Sequence, residues 1–162
     1  MAGFTLMELL IVIVILGVLV AFATGSFASS LRRGRDNRRK NDVRSVATSL
    51  EAYFNDKGIY PASNSNGEMV GCGAADASVC SWGGKFIDKN DTLYMILIPK
   101  DPADQYRYYY TSTEAAYKLY AKLENTLDVG SGAKQAGYAG TNCAASGTTI
   151  CTYGIASQNT EP

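Results

Sequence analysis

Histidine is absent from all 162 residues. That removes the commonest general base and the commonest metal ligand. No P-loop or dinucleotide fingerprint is present, and no histidine is available to activate a Ser or Cys nucleophile. Net charge is also missing, with 15 Lys and Arg against 15 Asp and Glu, so nothing draws the chain as a whole toward nucleic acid. Charge of either sign is almost absent from the first 30 residues, where Glu8 stands alone. These absences predict a protein that is not an enzyme, with no catalytic residue, metal site or cofactor. The length suits one domain plus an anchor, and no internal repeat is evident.

Cysteine is confined to the second half, as Cys72 with Cys80 and Cys143 with Cys151. Seven residues separate each pair, wider than the roughly two to four usual between zinc ligands. Structural disulfides are the favoured reading, with reduced thiols and metal as alternatives. Of the three possible connectivities, the two short loops are preferred. Disulfides imply an oxidising location outside the cytoplasm. Abundant Gly, Ser, Asn and Thr after Lys57 fit a small, loop-rich exported domain.

What the first segment does contain is a long apolar run. "FTLMELLIVIVILGVLVAF" covers Phe4 to Phe22 and has Glu8 as its one charge. As a helix rising ~1.5 Å per residue it covers about the ~30 Å of a bilayer core. A cleaved secretory signal is the rival, but that would have a basic start and a shorter core. A carboxylate in hydrocarbon costs several kcal/mol and is usually paired. Glu8 either reaches water at the interface or finds a cation, and the next twenty residues supply none.

The stretch "GFTLMELLIVIVILGVLVA" resembles the N-terminal signature of type IV pilins and pseudopilins. It runs Gly, Phe, a Glu five residues after the Gly, then a dense aliphatic stretch. The resemblance implies cleavage between Gly3 and Phe4 by a membrane prepilin peptidase and N-methylation of Phe4, with residues 1–3 a leader remnant. It also implies that Glu8 meets the N-terminal amine of a neighbouring subunit and sets register in a helical homopolymer. In its own chain the Glu8 carboxylate is then expected to be uncompensated. Many members carry a proline near Thr24–Ser26; here Gly25 and Gly17 are the expected weak points of the helix, since Gly weakens helices by about 1 kcal/mol. The basic run "LRRGRDNRRK", Leu31 to Lys40, would favour the cytoplasmic side by the positive-inside tendency. The cysteines and the family place it outside. Its residues read as a solvated neck, with subunit, headgroup or DNA contacts as the alternatives.

Further on, Val43, Val46, Ala47, Leu50, Tyr53 and Phe54 follow helical spacing for one buried face. One helix from about Phe4 to Asp56, ended by Gly58, is expected. "LEAYFNDKGIYP" and "LYMILIPKDP" also look family-like. Residues 62 to 92 read as a polar crossover, and Asp101 and Asp104 in "DPAD" as solvated loop carboxylates. Alternation in "QYRYYYTSTEAAYKLYAKLEN" predicts two antiparallel strands, and "TICTYGIAS" one more. The fold class is α+β. A long helix, half polymer core and half amphipathic, packs on a small antiparallel head with a disulfide-clipped C-terminal loop. The domains are 4–26 for membrane and polymerisation and 27–162 for the head.

The function implied is a structural subunit of a type IV pilus: a membrane precursor, then a surface filament, partnered by the cytoplasmic membrane, prepilin peptidase and assembly machinery. A pseudopilin of a type II secretion or DNA-uptake machine is the alternative. A membrane-anchored module binding DNA or glycan is a third. Calcium, frequent in the C-terminal part of major pseudopilins, is not carried over, because Asp128 is the only acid between Glu124 and Glu161.

Overall fold

The computed structural model describes residues 3–73 and 78–162, and leaves the side chains of 22–26 undescribed within their helix. One helix, α1 (Leu6–Lys57), starts at the N-cap Thr5 and stops at Gly58, whose left-handed φ of 74° favours glycine. Eight short strands follow: β1 (Ala62–Ser63), β2 (Met69–Cys72), β3 (Ser78–Val79), β4 (Phe86–Ile87), β5 (Leu93–Met95), β6 (Tyr109–Ser112), β7 (Tyr117–Ala121) and β8 (Tyr153–Ala156). They form antiparallel sheets in the orders β1-β2-β3, β4-β5 and β6-β7-β8. The stretch from 62 to 92, expected as a polar crossover, therefore carries four strands among its described residues. Two to four residues each, they are too short for alternation to show in sequence.

The helix packs its second half on the head. Val43, Val46, Leu50 and Tyr53 are buried, with Ala47 and Phe54 packed at their margin. Facing them are Phe86, Ile98, Tyr108, Tyr110, Tyr117 and Leu119. This is one helix on small sheets, a two-layer arrangement that buries one face of each. The β6–β7 register pairs Tyr109 with Tyr120 and Tyr110 with Leu119, and β8 extends the sheet by pairing Ile155 with Leu119. The tyrosine stripe is mostly core. The Tyr108 hydroxyl donates to Asp42 at 2.7 Å and that of Tyr110 to the Pro61 carbonyl at 2.7 Å. Gly67, at φ 74°, lies under the Tyr109 ring, where a Cβ would collide with ring carbons.

The buried helix face does not stop at Val43. Arg39 is fully buried and Asp36 is 2% exposed. Arg39 Nε and Nη2 donate to the two Asp101 oxygens at 2.8 and 2.7 Å, while Nη1 donates to Asp36 and Glu124, each at 2.8 Å. Arg35 Nε donates to Glu124 at 2.7 Å, and Arg35 Nη2 closes a second bond to the same carboxylate. Asp36 in turn accepts the backbone N–H groups of Glu124 and Asn125 at 2.9 and 2.8 Å. Lys40 reaches Asp128 at 2.5 Å. The basic run is thus more than a solvated neck. Its inward face ties α1 to two segments of the head, and Asp101 is buried against Arg39 rather than solvated.

Both local disulfides are formed, Cys72–Cys80 and Cys143–Cys151, and no described cysteine is free. The second is buried beside Tyr120 and Tyr138. Its Cys143 carbonyl accepts from the Arg107 amide at 2.9 Å, which pins the tail to the chain entering β6.

Arg39→Met leaves three carboxylates around an apolar side chain and is expected to cost about 3–5 kcal/mol, read by urea unfolding of the full chain in detergent with Trp82 emission. A loss below about 1 kcal/mol would show that this cluster is solvated. The hydrogen bond from Arg35, helped by Arg39, holds the Glu124 carboxyl down at about 2 against its ordinary 4.5. A folded value below the unfolded one means stability is full above pH 4.5 and lost as pH falls toward 2. Acid unfolding should therefore run through that window, and Glu124→Gln should flatten it. Reducing the two nine-residue disulfide loops is expected to lower stability by somewhat under ~3 kcal/mol each, read as a drop in Tm with dithiothreitol.

Candidate functional site: the helix N-terminus and its exposed apolar half

From Phe4 to Ala21 every side chain is exposed. Phe4 is 86% exposed and Leu6 87%. The run is helical because its aliphatic residues carry no competing polar group and Thr5 caps its start. It has no apolar surface of its own head to cover it. Monomeric soluble proteins rarely expose a contiguous apolar area this large, and such areas mark membrane or protein contacts. Among the described residues, no helix is long and apolar enough to cross a membrane. The described side chains of the apolar run break off at Ala21.

Glu8 sits in the first turn of α1 and closes a capping box with Thr5. The Thr5 amide and hydroxyl both donate to Glu8 Oε2 at 2.9 Å, and the Glu8 amide donates to the Thr5 hydroxyl at 3.3 Å. This corrects the expectation that the carboxylate is uncompensated within its own chain. One oxygen is held by the helix start, because a Glu three residues after a Thr N-cap can reach back to the orphan amides. The other, Oε1, has no bond among the described residues. An acid near a helix N-terminus is also favoured by the macrodipole.

Gly3 and Phe4 precede the helix, so the backbone at the expected cleavage position is outside regular structure. Gly17 lies inside α1 with open space around it; Gly25 lies outside the described residues. α1 runs without a break from Leu6 to Lys57. At the other end of the apolar run, Arg32 and Arg33 are exposed, while Arg35, Arg39 and Lys40 face the head. Among the described residues no group of acidic or thiol side chains is disposed to hold a metal. Sequence reasoning missed the Arg39 cluster although a signal existed. Asp36 and Arg39 continue the buried series Val43, Val46, Leu50, Tyr53 at steps of three and four.

The model of the prokaryotic N-terminal methylation motif matches residues 1–24. The chain is similar to type II secretion system core protein G of Pseudomonas aeruginosa, 28% identical over 74% of this chain and 81% of that one. It is 37% identical to fimbrial protein EcpC of Eikenella corrodens over 38% of this chain and 40% of that one. To the type IV major pilin protein PilA of Myxococcus xanthus it is 34% identical over 36% of this chain and 26% of that one. No solved structure matches. A methylation motif on an exposed apolar helix, a disulfide-bonded α+β head behind it, and relatives of both kinds support the type IV pilin and pseudopilin superfamily.

Proposed function

We propose that the chain is a structural subunit of a type IV pilus. It is inserted through residues 4–26 as a membrane precursor, cleaved between Gly3 and Phe4 by a prepilin peptidase, methylated on Phe4, and polymerised into a surface filament. The observation that carries this is the uncovered apolar half of α1, with a carboxylate at its tip whose second oxygen has no bond among the described residues. Packed against other copies, the aliphatic side chains leave water at about 25 cal/mol per Å². The amine of Phe4 on a neighbouring chain supplies the cation for Glu8 Oε1, which fixes the stagger between helices. The cap keeps Glu8 in one rotamer, so the oxygen offered to the neighbour is pre-positioned.

The pseudopilin reading is favoured by a different observation, the match to core protein G over most of both chains. The pilin reading rests on the two disulfides and the long tail after β7. Long filaments on the producing cells would support a pilin, and short or no filaments a secretion or DNA-uptake piston.

Glu8→Ala should leave the precursor inserted but lower filament yield by about tenfold or more, since an amine buried without its partner is strongly disfavoured. Thr5→Ala removes only the cap, worth about 1 kcal/mol, and should lower it far less. Equal yields from Glu8→Ala and wild type would overturn the register role. Mass spectrometry of the mature protein is expected to show a chain beginning at methylated Phe4.

A further inference from the structure

The head carries a cavity of about 220 Å³ lined by Trp82, Lys100, Asp101, Asp104, Tyr106, Arg107 and Tyr108. Two of its lining residues carry buried donors, Trp82 Nε1 and Arg107 Nε, that meet no acceptor among the described residues. Buried polar groups are nearly always satisfied, so two orphans lining one cavity need a partner that carries acceptors. The charges point the same way. Lys100 and Arg107 form no ion pair among the described residues. Asp101, whose two oxygens accept from Arg39, forms no ion pair with either of them among the described residues. Asp104, exposed, is the one acid left beside two cations.

The remaining walls are aromatic. Trp82 and Tyr108 meet edge to face with centroids 5.5 Å apart, and the Tyr106 ring is backed by the Arg39 guanidinium at 5.3 Å. Aromatic faces beside directed polar groups are the chemistry that holds a small amphipathic ring. Fixed guanidinium forks select planar carboxylates over neutral groups.

We propose that this cavity binds one hexuronic acid, a carboxylated pyranose sugar. The carboxylate meets Arg107 and Lys100. A ring or hydroxyl oxygen accepts from Trp82 Nε1, and the apolar C–H face lies against the aromatic walls. No bond is made or broken; the site is a recognition site, and it is independent of whether the chain builds a pilus or a pseudopilus.

Trp82 is the sole tryptophan, so its emission reports directly on the cavity. Glucuronate titrated into the full chain in detergent should change that emission saturably. Glucose, acetate and inorganic phosphate should each bind at least tenfold more weakly. Lys100→Met and Arg107→Met should each weaken glucuronate binding about tenfold or more; Lys100 is exposed, so its loss leaves the unfolding midpoint unchanged. An absence of saturable change with glucuronate overturns the proposal. So does equal binding of acetate or phosphate, which would make this a simple anion site, and so does equal binding of a glutamate-rich peptide, which would give the cavity to a neighbouring chain's acids.

Discussion

Arg39 is the point through which the two halves of the molecule are joined. A buried guanidinium needs its donors met, and this one meets carboxylates from three places in the chain: its own helix, the segment before β6 and the segment after β7. Such a cluster adds little net stability over an apolar core, but it tolerates no missing member. Its value is geometric. Apolar packing at Val43 to Tyr53 is non-directional and tolerates small shifts of the helix. A fork bound to Asp101 through two nitrogens does not. The head is thereby held at one height and one angle on a helix whose other half projects free.

That fixed angle matters because the free half of α1 is an unfinished surface. The helix buries one stripe in the head and then runs on with apolar side chains on every side. A helix apolar all round belongs inside something larger. Among the described residues nothing covers it; in the proposed function, lipid and then other copies do. In the proposed filament, the joint at Arg39 and the tie of Lys40 to Asp128 would transmit the stagger of packed helices to the heads. Order inside such a filament would become order on its outside.

Much of this was legible in the residues. The helix and its stop at Gly58, the face from Val43 to Phe54, the strands around Tyr110 and Leu119 and the strand at Tyr153 all follow from periodicity and turn chemistry. The apolar run named its own likeness. The charged joint was hidden because Asp36, Arg39, Asp101 and Glu124 are polar one by one and read as surface; only their meeting makes them interior. The strands between Ala62 and Ile87 were hidden because pairs of residues carry no period. Glu8 was read as wholly dependent on a neighbour, although the Thr5-x-x-Glu8 spacing already offered it a local bond. The cavity beside Trp82 escaped notice because its lining comes from separate loops.

The buried bridge between Cys143 and Cys151 has a bearing on what the exterior can carry. Residues 145–148 between its anchors are exposed, while Cys143, Ala144 and Cys151 are buried. Asn142 accepts the amides of Ala144 and Thr149 and donates to the Gly147 carbonyl at 3.0 Å, so one side chain clamps the loop's feet and its tip. Beyond the Ala145 amide, which donates to the Gln105 carbonyl at 3.0 Å, the crown is exposed. A foreign peptide spliced between Ala145 and Ser146 would be presented outward once per subunit, turning an assembled fibre into a repetitive display scaffold.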